Sequence, residues 1–214
     1  MSTTAPEVGE HVLLAIDTAI GTTVALGSRQ GIHVAASDDA RGHAEAIGRL
    51  LDEVFRAADL SPTQVTGVVA GIGPGPFTGL RVGIAAAHAF ALGRGVPVLA
   101  VQGHAAVALD AFERGETGQL RVVQDARRRE LFVTQFDGLD AAGIPVVAGG
   151  PALMARTDYA ERAGDLWPER IPAASLVLLA ARRLAAGRPF DDDRALYLRA
   201  PDVAQPSAPK RVST

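Results

Sequence analysis

Asp17 is the first residue whose position predicts chemistry, because it ends an apolar segment and hydroxyl side chains follow it in "DTAIGTT". In two-lobed nucleotide-binding folds, an aspartate at this position holds a metal ion or its water, and the hairpin after it cradles phosphate. Thr18 and Thr22 would lie in that hairpin. An aspartate at the end of a strand also stabilises its own turn. The residues alone favour the turn, and the nucleotide role is the alternative.

A glycine-rich loop follows a later apolar segment, in "GIGPGPFTGLRVG" from Gly71 to Gly83. A Walker A phosphate loop must end in G-K-[ST], and that ending is absent here. The dinucleotide-binding pattern G-x-G-x-x-G also fails, because its third glycine would fall at Thr78 or Pro76. The segment is therefore predicted to be a proline-stiffened turn, with Thr78 as the N-cap of a helix that begins at Gly79.

The other reactive residue types form no catalytic or metal-binding pattern. The chain has no cysteine, and no serine stands in a G-x-S-x-G turn. None of the five histidines is three or four residues from another, so no helical two-histidine metal site is predicted. Arg127–Arg129 in "DARRRE" are interpreted as a solvated hairpin tip, with a phosphate clamp as the alternative. We predict no catalytic residue and no metal site.

Composition is typical of a globular protein with a sizeable core. The chain has 214 residues, of which 48% are hydrophobic, and a formal net charge of −3. The slightly negative net charge argues against a protein that binds nucleic acid without help. No signal peptide and no apolar segment long enough to cross a bilayer are predicted. A cytoplasmic location and no membrane partner are expected.

The first half of the sequence predicts an α/β unit with a mixed sheet. The predicted strands are His11–Asp17, Thr22–Gly27, Gly31–Ser37, Val65–Ile72 and Pro97–Val101, the first three forming an antiparallel meander. The first helix, within 43–60, carries an apolar stripe formed by Ile47, Leu50, Leu51, Val54, Phe55 and Ala58. The second helix is predicted from Gly79 to Gly93.

The second half repeats the opening pattern, which predicts two lobes built from one motif. Leu120–Gly138 is an apolar run, an aspartate, a polar turn and another apolar run, so that Asp125 corresponds to Asp17. Further elements are predicted as a strand at Ile144–Gly150 and helices at Ala152–Ala163 and Ala173–Gly187.

Five segments, in this order, resemble the TsaB (YeaZ) family: "LLAIDTAIGTTVALG", "HAEAIGRLLDEVF", "GIGPGPFTGLRVGIAAAHAFALGRGVPVLAV", "QDARRRELFVTQF" and "LYLRAP". The most specific element is G-x-G-P-G-x-F-T-G-x-R-x-G, which is complete from Gly71 to Gly83. The resemblance implies a two-lobed fold like that of actin, sugar kinases and the Hsp70 ATPase, which is ribonuclease H-like, with mixed sheets flanked by helices. A partner-binding first lobe at 1–103, a second lobe at 104–200 and a flexible tail at 201–214 are expected.

The resemblance also implies a function. TsaB-like proteins are non-catalytic subunits of the bacterial complex that transfers a threonylcarbamoyl group to the adenosine next to the anticodon of tRNAs. The catalytic subunit is the paralogous TsaD, which carries an H-x-x-x-H motif that this sequence lacks, and the small ATPase TsaE completes the complex. The chain alone is expected to form a homodimer and to contact tRNA only indirectly. No tightly bound cofactor is expected, and ATP or ADP would bind only at the complex interface.

The resemblance implies pairing with TsaD through the first lobe. Because glycines and alanines leave little side chain on the second helix, the hypothesis is that the helices His43–Ala58 and Gly79–Gly93 pack against helices of TsaD. The predicted residues of this partner surface are His43, Ile47, Leu50, Val54, Leu80, Gly83, Ile84, Ala87, His88 and Ala91. Two alternatives stay open. One is an autonomous small-molecule kinase or ATPase that uses Asp17, Thr18 and Thr22, which are otherwise a vestigial nucleotide site. The other is a peptidase that acts on TsaD.

Overall fold

The computed structural model describes residues 8–39 and 42–199, and the tail predicted at 201–214 lies outside them. The first sheet has the strand order β3-β2-β1-β4-β5. Its strands are β1 (Leu13–Asp17), β2 (Thr22–Ser28), β3 (Gly31–Ser37), β4 (Gly67–Gly71) and β5 (Val98–Val101). The first three are an antiparallel meander, and β4 and β5 run parallel to β1. Every residue of β1 and β4 is buried, which explains their continuous apolar sequences.

The second sheet repeats this plan with four strands in the order β8-β7-β6-β9. Its strands are β6 (Gln119–Asp125), β7 (Glu130–Leu139), β8 (Pro145–Ala155) and β9 (Asp165–Leu166). The meander β6-β7-β8 is antiparallel, and β9 runs parallel to β6. Asp17 and Asp125 each end the first strand of their sheet, so the predicted repeat is confirmed in the topology.

Four α-helices pack around the sheets in the described part of the chain: α1 (His43–Ala58), α2 (Phe77–Arg94), α3 (Gly103–Glu113) and α4 (Ala173–Ala185). α1 and α2 lie on one face of the first sheet, and α4 lies on the other. α3 packs between α4 and the second sheet. The apolar stripe predicted for α1 faces the first sheet, with Leu50 and Val54 fully buried there.

Alternate residues of β1 point into two hydrophobic cores. Leu14 and Ile16 pack with α1 and α2, while Leu13 and Ala15 pack with α3 and α4. The second of these cores also contains Phe136 from the second sheet, so it extends through both halves of the chain. The predicted boundary between 103 and 104 falls at the start of α3, and α4 crosses it by packing on the first sheet. The division into lobes at this residue stays a prediction.

The start of α2 differs from the prediction. The helix begins at Phe77 with Pro76 as its N-cap, so Thr78 lies inside the first turn and caps nothing. The extended backbone of Pro76 (φ −61°, ψ 136°) supplies the required change of direction, and the missing N–H of a proline is harmless at a helix start.

Two further differences lie in the second half. The helix predicted at Ala152–Ala163 is wrong, because Ala152–Ala155 continue β8 and pair with β7, and a single 3-10 turn follows at Arg156–Asp158. Pairing along the sheet overrides the helix preference of alanine at this place. The sequence pattern does not predict α3, because eight of its eleven residues are buried and its sequence has no polar face to reveal a helical period.

Candidate functional site

Thr18 attaches the turn after β1 to the first turns of α2. Its hydroxyl donates to the carbonyl oxygen of Gly79 over 2.6 Å and accepts from the N–H of Gly83 over 3.1 Å. A Cβ at Gly79 would lie 2.6 Å from the Thr18 carbonyl oxygen, and one at Gly83 would lie 2.3 Å from the Thr18 hydroxyl oxygen. These two glycines of the glycine-rich segment therefore permit α2 to approach this turn.

Asp17 lies beneath the same turn and is completely buried. Its Oδ1 accepts a hydrogen bond from the Ala19 N–H over 2.7 Å, and its Oδ2 has no hydrogen-bond partner among the described residues. A Cβ at Gly71 would lie 1.9 Å from that Oδ2, so the first glycine of the segment makes room for the carboxyl group. Burial raises the pKa of the Asp17 carboxyl to about 6, and the hydrogen bond from Ala19 opposes the shift.

Thr22, the third residue of the predicted vestigial nucleotide site, opens β2 and is fully buried. Its hydroxyl is 2.8 Å from Nδ1 of His43, the first residue of α1. Asp17, Thr18 and Thr22 therefore lie together around one turn, and their role as a vestigial nucleotide site stays a prediction. The hydroxyl groups of Thr18 and Thr22 both form hydrogen bonds within the protein.

A cleft of about 900 Å³ opens above this turn. It lies between the β1–β2 turn, the starts of α1 and α2, and the end of β6. Its charged lining residues are four carboxylates and two arginines: Asp38, Glu45, Asp125, Glu169, Arg127 and Arg170. Arg170 is paired with Asp38 at 3.1 Å. The acidic excess disfavours a polyphosphate in the cleft. In the described residues, no group of three or more His, Asp or Glu side chains is placed to hold a metal ion.

A buried polar network supports the wall of the cleft, and the sequence did not reveal it. His104 of α3 is completely buried, with Nδ1 2.7 Å from the Thr134 hydroxyl and Nε2 3.1 Å from Oε1 of Gln124. Gln124 in turn lines the cleft beside Asp125. Burial lowers the pKa of the His104 imidazole to about 4, and the hydrogen bond to Gln124 opposes the shift. The ring is therefore neutral near pH 7.

The residues predicted for the partner surface divide by burial. Seven of them are buried, mainly against the first sheet and its turns: Ile47, Leu50, Val54, Leu80, Gly83, Ala87 and Ala91. His43, Ile84 and His88 are half-buried. The outward side of α2 is formed instead by Ala85, Ala89 and Leu92, and Leu92 is 86% exposed. The pair of helices stays a prediction as the partner surface. The exposed side chains that α2 presents there are Ala85, Ala89 and Leu92, which are not among the predicted residues.

The segment after α4 returns to the first half of the chain and lies along α2. The Leu196 N–H donates to the carbonyl oxygen of Ile72 over 2.8 Å. Asp193 pairs with His88 at 2.9 Å, and the Tyr197 hydroxyl accepts from Nε of Arg81 over 3.0 Å. This segment contains Leu196–Arg199, the described part of "LYLRAP", and holds these residues beside the start of α2.

The repeated meander with added parallel strands, and the cleft beside the end of β1, define an α/β protein with two mixed sheets flanked by helices. A family model described as "tRNA N6-adenosine threonylcarbamoyltransferase" (TsaD) matches residues 29–153, more than half of the chain. The chain belongs to the family that this model describes, and within it to the TsaB (YeaZ) proteins.

Individual proteins agree with this assignment. An uncharacterized protein of Mycobacterium tuberculosis is 38% identical over 151 residues, covering 66% of this chain and 69% of its own length. The tRNA threonylcarbamoyladenosine biosynthesis protein TsaB of Haemophilus influenzae is 35% identical over 127 residues, 58% of this chain and 52% of that protein. YeaZ from Pseudomonas aeruginosa has the same fold, with a TM-score of 0.78 and 24% identity over 88% of this chain and all of that one. The predicted family and fold class are confirmed.

None of the helices in residues 8–39 and 42–199 combines the length and the apolar character that crossing a bilayer requires.

Proposed function

We propose that this chain is an accessory subunit of the complex that places threonylcarbamoyl on the adenosine next to the anticodon of tRNAs. A TsaD-type subunit performs the transfer, and a TsaE-type ATPase completes the complex, in the cytoplasm. Family membership supports the pathway. The observation that carries the accessory role is the burial of Asp17, Thr18 and Thr22, none of which is more than 2% exposed.

This burial argues against catalysis by the chain alone. A kinase or ATPase must present its carboxylate and hydroxyl groups to the phosphates and the metal ion. Here the Thr18 hydroxyl is held by α2, and the Thr22 hydroxyl is held by His43. Asp17 is enclosed against Gly71, with its charged form disfavoured by burial. We propose that no cofactor binds the lone chain tightly and that ATP or ADP binds only where subunits meet.

The contact surface that we propose is the outward side of α1 and α2. Ala85 and Ala89 leave little side chain on α2, so a helix of the partner can approach its backbone closely. Leu92, with 86% of its surface exposed, supplies an apolar anchor at one end. A second copy of the chain would present the same helices, so we propose that this surface also forms a homodimer when TsaD is absent.

A reconstituted modification assay tests the proposal. Unmodified tRNA, TsaD-type and TsaE-type subunits and the threonylcarbamoyl donor are combined with and without this chain. We expect modification only when the chain is present, and we expect Asp17→Asn to support it fully because the carboxyl group performs no chemistry. Full modification without the chain would contradict the proposal. So would loss of activity in Asp17→Asn when the complex still assembles.

Two simpler assays address the alternative activities. Calorimetric titration of the lone chain with Mg-ATP should give no tight binding and no turnover; sub-micromolar binding with hydrolysis would favour a kinase or ATPase. Incubation with the TsaD-type subunit should leave that subunit intact, and a defined cleavage product would favour a peptidase.

A further inference from the structure

The tip of the β6–β7 hairpin holds three arginines in an unfavourable backbone conformation. Arg127, Arg128 and Arg129 have φ values of 64°, 54° and 61°, which is the left-handed region. Each such non-glycine residue costs about 1 kcal/mol or more. Glycine or asparagine would build the same tip with less strain. A tip with only a structural role therefore gives no reason for three consecutive arginines.

Two hydrogen bonds donated by backbone N–H groups close the tip and fix its conformation. The Glu130 N–H donates to the Arg127 carbonyl oxygen over 3.0 Å, and the Arg127 N–H donates to Oδ1 of Asp125 over 2.9 Å. Arg199 reaches the tip from the segment after α4, donating to the Arg127 carbonyl oxygen over 3.2 Å and pairing with Glu130. The guanidinium groups are thus presented from a fixed frame.

A groove of about 430 Å³ lies between this tip and the start of α2. Arg127, Arg128 and Arg199 line it together with Phe77 and Tyr197, and none of the described residues that line it is acidic. Beside it, the Arg81 guanidinium lies 3.7 Å from the centre of the Phe77 ring. The rings of Phe77 and Tyr197 are 4.7 Å apart, and Tyr197 is 39% exposed.

We propose that this arginine–aromatic groove binds RNA. Guanidinium groups recognise phosphodiesters through paired, charge-assisted hydrogen bonds, and an exposed aromatic ring beside them stacks on an unpaired base. The side chain of Arg127 is 77% exposed, and its ion pair with Asp125 is long at 3.8 Å, so it can turn toward a phosphate. The net charge of −3 conceals this local excess of positive charge.

The inference rests on the proposed function for the identity of the RNA, which would be the tRNA that the complex modifies. The tRNA would then contact this chain directly, rather than indirectly as expected from the sequence. The contact would lie at the mouth of the cleft, since Arg127 lines both the groove and the cleft. An acidic protein surface is the competing occupant. The aromatic floor between the arginines favours RNA over it.

Two double variants with the same loss of charge test the groove. Arg127→Asn with Arg128→Asn removes two guanidiniums, and asparagine tolerates the left-handed backbone, so the tip should keep its shape. Arg29→Asn with Arg114→Asn removes two exposed arginines elsewhere, in the β2–β3 turn and after α3. Thermal unfolding should show that both double variants are folded.

Binding is measured by fluorescence anisotropy, with the full chain titrated against labelled, unmodified tRNA over about 50–200 mM salt. We expect the groove variant to lose about tenfold or more in affinity, and its log–log salt slope to fall by about 1.5 for two lost phosphate contacts. The matched control should stay within about twofold of the wild type. Equal losses in both variants, no loss in the groove variant, or no binding by the wild type at the lowest salt would overturn the proposal.

Co-elution with the TsaD-type subunit separates this inference from the proposed function. If the wild-type chain does not co-elute, the proposed function fails, and the tRNA titration of the lone chain still decides the role of the groove. If the groove variant loses co-elution while its tRNA binding is unchanged, the groove is a protein contact and the RNA proposal is overturned.

Discussion

The backbone N–H of Gly83 in α2 donates a hydrogen bond to the hydroxyl oxygen of Thr18, 65 positions earlier in the chain, over 3.1 Å. This contact keeps a hydroxyl group that could have faced a phosphate inside the protein. It also sets the distance between α2 and the end of β1. The same contact therefore removes a nucleotide-binding group and positions the helix that we propose as the partner surface.

Gly83→Ala should destabilise the chain, because the new Cβ would lie 2.3 Å from the Thr18 hydroxyl oxygen. Overpacking of this kind costs about 1–3 kcal/mol. Gly93→Ala in the same helix is the matched control, since no atom of the described residues lies within 4 Å of its Cβ position. Alanine in a helix is about 0.5–1 kcal/mol better than glycine, so the control should gain stability. Urea unfolding of both variants measures the difference, and equal stabilities would contradict the packing described for Gly83.

The pH dependence of stability should come from two buried groups with opposite effects. The pKa of Asp17 rises from 3.8 to about 6 on folding, so the folded chain binds the proton more tightly and loses stability as the pH rises through that range. The pKa of His104 falls from 6.5 to about 4 on folding, so the unfolded chain binds the proton more tightly and stability is lost as the pH falls. Between about pH 4 and pH 6.5, the two groups should therefore change the free energy of unfolding in opposite directions and largely cancel.

Asp17→Asn should remove the Asp17 contribution, so that the change of stability with pH comes from His104 alone. We expect the variant to be more stable than the wild type at pH 7, by up to about 3 kcal/mol for a shift of this size, and to lose stability toward pH 4. His104→Gln should lower stability overall by removing a bond to Thr134 or Gln124, but the remaining Asp17 slope should make it more stable at pH 5 than at pH 7. Urea unfolding at several pH values checks both profiles. Parallel profiles for the two variants would show that these groups do not control the pH dependence.

The ion pair between Arg121 and Asp165 should be the charge pair on which β9 depends. Arg121 donates to both carboxylate oxygens over 2.7 and 2.6 Å, and the Tyr159 hydroxyl adds a third bond over 2.6 Å. Burial would raise the pKa of Asp165, but the hydrogen bonds from Arg121 and Tyr159 outweigh it and hold the pKa at about 2. Breaking a buried pair costs about 3–5 kcal/mol, so Asp165→Asn should be strongly destabilising. Glu53→Gln, at an exposed pair with Arg49, should cost less than about 0.5 kcal/mol. Similar thermal shifts for both variants would contradict this ranking.

The sequence predicts local elements of this fold well, because short-range patterns control them. The stripe from Ile47 to Ala58 predicts α1, and the matching positions of Asp17 and Asp125 predict the repeated sheets. α3 escapes prediction because burial on nearly all sides leaves no polar face. The extension of β8 escapes it because pairing with β7 is a long-range interaction.

The site is less predictable than the fold, for two physical reasons. Gln124 and Thr134 follow His104 by 20 and 30 positions. The three residues meet only through the packing of α3 on the second sheet. Apolar periodicity identifies the face of a helix that the protein itself buries. Leu50, Val54 and Ala87, which the apolar pattern predicts for the partner surface, therefore pack on the first sheet instead.

Co-elution of a surface variant with a TsaD-type subunit is the direct measurement of the proposed partner surface. Leu92→Glu places a charge on the outward side of α2, and Val147→Glu places the same charge on β8, where Val147 is 50% exposed. Both variants should unfold at the temperature of the wild type. We expect Leu92→Glu to weaken the complex at least about tenfold, because a charge replaces an apolar anchor, and Val147→Glu to elute with the partner like the wild type. Unchanged co-elution of Leu92→Glu, or equal loss in both variants, would contradict it.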